Sequence, residues 1–143
     1  MDDLDRNIVA LLSQDARTSI AVLARRLKVA RSTLQARLER LETSGAIAGY
    51  TLRLGDAARL GRIRATVLLV IEQRSQPAIL SRLKSMPQVE RIHTASGRID
   101  LLVQIVSGST AELDETLDRI GAIDGIRSQE SLIHLTTKLD RAL

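Results

Sequence analysis

Residues 19–41 read SIAVLARRLKVARSTLQARLERL, and this stretch decides the fold of the N-terminal part of the chain. Its first half has the i, i+3, i+4, i+7 apolar spacing of an amphipathic helix, at Ile20, Leu23, Ala24 and Leu27. Lys28-Val29-Ala30 then breaks the pattern. A second helix follows, with one apolar face made of Leu34, Leu38 and Leu41. Two short helices joined by so short a break predict a helix-turn-helix.

The flanks of this stretch extend the same domain. Residues 4–14 predict a preceding helix, because their apolar side chains share one face and aspartates crowd the N-terminal end, where the helix dipole favours them. Residues 45–52 are short and strand-like. We therefore assign residues 1–50 to a winged helix-turn-helix domain that binds DNA, and residues 51–62 to a linker strand.

The second half of the chain alternates strand and helix patterns. Four segments have strand character, namely residues 63–72, 89–95, 99–106 and 126–139. Helices are predicted after Pro77 and at a capping box from Ser109 to Glu112. Apolar positions repeat at an offset of 37 residues, so the two strand-helix-strand halves resemble each other. The order βαββαβ predicts a ferredoxin-like domain over residues 63–143, and the fold class is α+β.

Positive charge is concentrated in the N-terminal part of the chain. There are 21 Lys and Arg residues against 17 Asp and Glu, and residues 17–40 hold seven basic residues and one acidic residue, Glu39. A net charge of +6 in 24 residues indicates a polyanionic partner. The alternative is a basic helix face that is merely solvated.

The second helix of the motif carries the candidate DNA contacts. The N-terminal residues of such a helix reach base edges in the major groove, where Arg suits guanine and Gln suits adenine. We expect base contacts from Arg31, Ser32, Thr33 and Gln35. Phosphate contacts are expected from Arg25, Arg26, Lys28 and Arg40, and Arg37 lies beside Arg40 on the flank of the helix.

Composition excludes several classes of function. The absence of cysteine excludes disulfides, thiolate nucleophiles and cysteine-ligated zinc, and the presence of two histidines argues against a His-rich metal site. One tyrosine, without Phe or Trp, argues against base stacking on single-stranded nucleic acid. The longest apolar run, residues 67–71, is too short to span a membrane, and the acidic N-terminus is unlike a signal peptide. We expect a cytoplasmic protein without metal or cofactor.

Three motifs are specific in combination. They are residues 4–8 (LDRNI), residues 40–50 (RLETSGAIAGY) and residues 96–100 (SGRID). Together they resemble the Lrp/AsnC family of bacterial and archaeal transcriptional regulators, and the resemblance covers almost the whole chain. It implies a sequence-specific DNA-binding regulator whose ferredoxin-like domain oligomerises and is modulated by a small amino acid bound between subunits.

The resemblance also implies an effector site. Backbone N–H groups at Gly97 and Arg98 suit a carboxylate, and Asp100 could accept a hydrogen bond from an ammonium group. The candidate effector residues are Ser96, Gly97, Arg98, Asp100, Ser131, Leu132, Ile133 and His134. The alternative is that Gly97 only permits the hairpin and Asp100 is an exposed charge at the edge of the sheet.

The chain departs from the family pattern at three positions. Ala30 stands where a Ser or Thr commonly caps the recognition helix, and Ser32 or Thr33 could cap it a frame later. Lys28 stands where the turn often has Gly, which a negative φ would tolerate. Ile99 replaces an aromatic residue before the loop aspartate, which favours a smaller or aliphatic effector.

Two expectations concern the assembly and the alternative function. One helix-turn-helix has too small a footprint for operator-level affinity, so we expect at least a homodimer on double-stranded DNA, or a higher homo-oligomer such as an octamer. Siroheme decarboxylases resemble the same family in both domains. Such an enzyme would use His93 or His134 beside the tetrapyrrole, with arginines for its carboxylates; we expect a regulator and no catalytic residues.

Overall fold

Local sequence signals define three helices in the first part of the chain. In this computed structural model, which describes residues 1–142, they are α1 (Asp3–Gln14), α2 (Ile20–Leu27) and α3 (Arg31–Thr43). Asp2 and Asp5 form a capping box at the start of α1, and the Ser19 hydroxyl accepts from the Val22 N–H at 3.2 Å at the start of α2. The predicted helix-turn-helix is confirmed.

The three helices enclose one small core. Ile8, Leu23 and Leu34, one from each helix, are 0% exposed. These residues sit at the apolar positions that the helical spacing predicted. The packing thus fixes which face of α3 points inward and which is left for solvent.

Two predictions between the domains are wrong. Residues 45–52 form no strand: the Ile47 N–H donates to the Leu41 carbonyl at 2.9 Å, but no strand pairs with this segment within residues 1–142. The linker strand is also absent, and a short helix, α4 (Asp56–Arg59), occupies part of residues 51–62. A strand needs a hydrogen-bonding neighbour, and local sequence cannot tell whether one is available. The chain divides into two units: the first comprises residues 1–53 together with residues 141–142, and the second comprises residues 54–140.

The second unit is a four-stranded antiparallel sheet with two main helices. Its elements are β1 (Ile63–Ile71), α5 (Gln76–Lys84), β2 (Val89–Thr94), β3 (Leu101–Ser107), α6 (Thr110–Gly121) and β4 (Ile126–Ile133). The strand order is β2-β3-β1-β4, and every pair of neighbours is antiparallel. The predicted ferredoxin-like βαββαβ arrangement is confirmed.

The two faces of this sheet differ in burial. One face packs beneath α5 and α6, where the buried strand residues include Ala65, Val67, Leu69, Leu101, Val103 and Ile105. The opposite face, here called the open face, carries Thr66, Leu68, Val70, Leu102, Gln104, Val106 and Leu132. Neither α5 nor α6 covers the open face, and its residues are half-buried or exposed.

The last strand ends earlier than predicted. β4 stops at Ile133, not at residue 139, because its only neighbour is β1 and the pairing has reached Ala65 by Ile133. β3 likewise begins at Leu101 and not at Ile99. The capping box of α6 is shifted: Ser109 accepts from the Glu112 N–H at 3.1 Å, but the Glu112 carboxylate accepts from Gly108.

Residues 1–142 contain neither a membrane-spanning helix nor a cluster of potential metal ligands. No helix there is long and apolar enough to cross a membrane. Nor do these residues bring together three His, Cys, Asp or Glu side chains that could hold a metal ion.

Candidate DNA-binding and effector sites

The N-terminal end of α3 presents a row of polar side chains to solvent. Arg31, Ser32, Thr33 and Gln35 are exposed, and Leu34 between them is fully buried. The helix begins at Arg31 with Ala30 as its N-cap, and no side chain caps it, so the cap at Ser32 or Thr33 does not occur. All four residues expected to contact bases therefore lie on one accessible turn of helix.

The turn before α3 is held by a left-handed residue. Lys28, the C-cap of α2, has φ 54° and ψ 46°, and so does not have the negative φ that would make a lysine unstrained there. Its side chain is exposed, as are those of Arg25 and Arg26. These three cations flank the first turn of α3, where phosphates would lie if α3 entered a groove.

Arg37 and Arg40 have partners within the same unit. The Arg37 guanidinium donates to Asp2 and, at 3.2 Å, to Asp5, and Arg40 donates to Asp5 at 3.2 Å. The Asp5 side chain is 3% exposed and that of Arg37 is 28% exposed. Arg37 thus joins α3 to the start of α1, a role that the sequence analysis did not assign. The position of the aspartates at the N-terminal end of α1 predicts only their favourable interaction with the helix dipole.

Protonation equilibria reflect this network. The Asp5 N–H and the Arg37 guanidinium lower the pKa of Asp2 from 3.8 to about 2. Burial raises the pKa of Asp5, but hydrogen bonds from Arg37 and the Asp2 N–H outweigh it, so that this pKa is also lowered. The two carboxylates raise the pKa of Arg37. The network is therefore fully charged at neutral pH.

The turn between β2 and β3 contains one part of the predicted effector site. Ser96, Gly97 and Arg98 are exposed, and Gly97 has φ 112°, a conformation suited to glycine. Asp100 is half-buried, and so is not the exposed edge charge of the alternative interpretation. Its Oδ2 accepts from the Ile71 N–H at 2.9 Å and its Oδ1 from the Gln73 amide at 3.1 Å. Each oxygen retains capacity for one further donor.

The residues of β4 lie elsewhere in the same chain. Leu132 pairs with Thr66 and Ser131 with Val67, and the His134 ring is 2.8 Å from the Thr66 hydroxyl. Asp100, in contrast, donates its N–H to the Leu69 carbonyl. The Arg64 carbonyl, which accepts the His134 N–H, is five residues or about 17 Å from Leu69 along β1, whereas Val67, the partner of Ser131, is two residues from it. Within one chain the two parts of the predicted effector site lie on opposite sides of β1.

Comparison with known proteins places this architecture in a family. The AsnC-type helix-turn-helix domain matches residues 1–42, and the Lrp/AsnC ligand binding domain matches residues 64–143. The chain belongs to the Lrp/AsnC family. This Lrp/AsnC protein is 30% identical over 142 residues to the HTH-type transcriptional regulator LrpA of Mycobacterium tuberculosis, with 99% of this chain and 95% of the relative covered. The regulator FL11 of Pyrococcus furiosus is 27% identical, with 94% and 89% covered.

Solved structures agree with the fold. E. coli AsnC superposes with a TM-score of 0.89 at 26% identity, covering 100% of this chain and 97% of the other. The regulator NMB0573 of Neisseria meningitidis, solved as an L-Met complex, shares the fold with a TM-score of 0.86 at 21% identity, covering 98% and 93%.

The family decides between the two classes of function. The protein is a DNA-binding transcriptional regulator of the Lrp/AsnC family, with a ligand-binding domain, and its relatives are transcriptional regulators, not enzymes. The decarboxylase alternative finds no support among them. His93 is exposed on β2, whereas His134 bonds to Thr66.

Proposed function

We propose that this Lrp/AsnC regulator acts in the cytoplasm as a homodimer or larger homo-oligomer that reads its operator through α3. The observation that carries the proposal is the exposed turn of Arg31, Ser32, Thr33 and Gln35 at the N-terminal end of α3. Arg25, Arg26 and Lys28 would bind phosphates beside it. Arg37 and Arg40 contribute through the orientation of α3, since both are ion-paired to Asp5.

Base reading and phosphate binding can be tested separately. Gln35→Ala should cost about 1–3 kcal/mol on the operator and much less on random duplex DNA. Arg26→Ala should weaken binding to both and flatten the dependence of log K on log salt by about one unit for each phosphate it contacts. Arg82→Ala, an exposed arginine on α5, is the matched control. Equal losses on the two DNAs for Gln35→Ala would exclude α3 as the reading helix.

The open face of the sheet supports assembly between copies. Four of its residues are half-buried aliphatic side chains: Leu68, Val70, Leu102 and Val106. Leu132 on the adjoining edge strand is 48% exposed. The side chains on a sheet face that is exposed to water are normally polar. The aliphatic composition of the open face therefore favours its coverage by a second subunit.

The same assembly would complete an effector site. Within one chain the turn at residues 96–100 and the β4 residues lie on opposite sides of β1, so that a second subunit would complete each half around one ligand. The turn would supply N–H groups for the carboxylate of an aliphatic amino acid, and Asp100 would receive its ammonium group.

The effector proposal is tested by thermal stability. Leu, Ile, Val, Met or Ala, present at about 100 times its dissociation constant, should add roughly 2.7 kcal/mol to the stability of the regulator. Asp100→Asn should lose most of that gain, because it keeps the shape and removes the charge. A gain in Asp100→Asn as large as that of the wild type would remove Asp100 from the site.

A further inference from the structure

A cavity lies at the end of the sheet remote from the turn at residues 96–100. Its volume is about 360 Å³, and its walls include the end of β3, the first turn of α6 and the residues just before β1 and β2. Ser107, in its wall, pairs with Ile63, whereas Asp100 bonds to Leu69. The six residues of β1 between these points span about 20 Å. The cavity is therefore separate from the effector site proposed above.

Two of the residues that line this cavity each carry a buried polar atom without a hydrogen bond. Ser107 is 2% exposed and lies on the helix-covered face of β3, in alternation with the buried Ile105 and Val103. Its Oγ and the Oε1 of Gln88 are buried and have no hydrogen-bond partner among residues 1–142. Buried polar atoms are nearly always hydrogen-bonded, so two such atoms on residues that line one cavity indicate that a hydrogen-bond partner is missing.

The cavity also has an anion and a cation that do not pair with each other. The Glu112 carboxylate accepts from the Gly108 N–H at 2.7 Å and the Gln88 amide at 3.0 Å, and these bonds lower the pKa of Glu112, so it is anionic at neutral pH. Arg62 is exposed, and no carboxylate of residues 1–142 lies within ion-pair distance of it.

We propose that this cavity is a second ligand site in each subunit, for a small zwitterion of the α-amino acid class. Its ammonium group would donate to Gln88 Oε1 and Ser107 Oγ beside the Glu112 carboxylate, and its carboxylate would meet Arg62 at the mouth. Both unpaired atoms are closed to solvent, so that entry involves movement of the half-buried Gln88 side chain. Such a ligand satisfies both orphan atoms and both charges at once.

The site is tested with the full chain and the twenty common amino acids, first by thermal shift and then by titration calorimetry. Ser107→Ala should fold as stably as the wild type, because it removes a hydroxyl that bonds to nothing. It should weaken binding of the amino acid at least about tenfold, and Arg62→Gln should weaken it about tenfold. Arg82→Gln, on α5, should bind as the wild type does. Acetate and methylamine, each with one of the two charges, should bind far more weakly.

Asp100→Asn separates this site from the effector site at the turn. Binding that persists in Asp100→Asn and is lost in Ser107→Ala establishes the second site. Loss of all binding in Asp100→Asn, unchanged binding in Ser107→Ala, or no amino acid bound by the wild type would each overturn it. Loss of binding in Asp100→Asn and unchanged binding in Ser107→Ala would both still be consistent with the effector site at the turn. A marked loss of stability in Ser107→Ala without ligand would also overturn it, because the hydroxyl would then be bonded to an internal water.

Discussion

The backbone conformation of Lys28 lowers the stability of the fold, whereas we expect its side chain to favour DNA binding. Its φ of 54° places a Cβ-bearing residue in the left-handed region, and its side chain is exposed in the turn before α3. Strain of this kind is kept in natural proteins where a side chain is needed.

We predict that Lys28→Gly raises the free energy of unfolding by about 0.5–1 kcal/mol. Relief of roughly 1–2 kcal/mol of left-handed strain is partly offset by the greater entropy of the unfolded chain. Lys28→Ala keeps the Cβ and should leave stability nearly unchanged. Urea denaturation measures both. If the two variants gained equally, the backbone conformation would not be the source.

The same two variants also isolate the charge. Both remove the ammonium group, so that both should flatten the salt dependence of DNA binding equally, by about one unit for each phosphate that Lys28 contacts. A difference between them would mean that flexibility of the turn, and not charge, governs binding.

Residue types were easier to predict than residue partners. The exposure of Arg31 and Gln35 follows from helical periodicity around Leu34, and the sequence contained that information. The pairing of Arg37 with Asp5, and of Asp100 with the Ile71 N–H, joins residues 32 and 29 positions apart. Such contacts depend on how elements pack, which periodicity does not encode.

At the scale of the element, α3 has an incomplete start. Ala30 offers no side-chain acceptor to the free N–H groups of the first turn. We predict that Ala30→Ser stabilises the protein by about 1 kcal/mol, since a serine hydroxyl could accept from the Thr33 N–H. Calorimetric unfolding measures this. Ser32→Ala is the control and should change the stability little. A large loss of stability in Ser32→Ala would mean that Ser32 caps the helix.

The junction of α1 and α3 should be sensitive to acid. The folded pKa of Asp2, about 2, lies below its ordinary value of 3.8, and that of Asp5 is also lowered, so the folded state binds fewer protons than the unfolded state. The stability they contribute is present above about pH 4 and is lost as pH falls toward 2.

We predict that Arg37→Gln lowers stability at neutral pH and flattens this acid dependence, because it removes the donor that both carboxylates share. Arg26→Gln removes the same charge from an exposed site and should retain the wild-type slope. Circular dichroism melts between about pH 5 and pH 2 give the comparison. Parallel slopes for all three proteins would contradict the network's role.

The predicted boundaries were wrong for elements whose limits depend on strand pairing. Helices were located well, because caps and apolar spacing are local signals. Residues 45–52 have the composition of a strand but no neighbouring strand within residues 1–142, and β4 ends at Ile133, where its pairing with β1 has reached Ala65. Strand limits are set by the partner strand, which is remote in sequence.

At the scale of the whole molecule, the two units divide the work of regulation. The excess positive charge lies in the first unit, and the ligand-binding domain and the open face lie in the second. In the assembly proposed above, contacts between sheets would link several reading helices and so raise the affinity for DNA. The open face is therefore where assembly and DNA binding should be coupled.

The last prediction concerns Leu132 on the edge of the open face. It is 48% exposed in the single chain, so Leu132→Lys should leave the subunit folded while it places a charge in the proposed interface. We expect the wild type to sediment as a dimer or larger species and the variant to shift toward the 15.7 kDa monomer. Operator affinity should then fall by at least about 10²-fold, because two linked reading helices bind with an avidity that one lacks. Ala78 is exposed on α5, which covers the opposite face of the sheet, so Ala78→Lys should change neither the sedimentation nor the operator affinity. A wild type that sediments as a monomer at micromolar concentration would refute the assembly and with it an effector site shared between subunits.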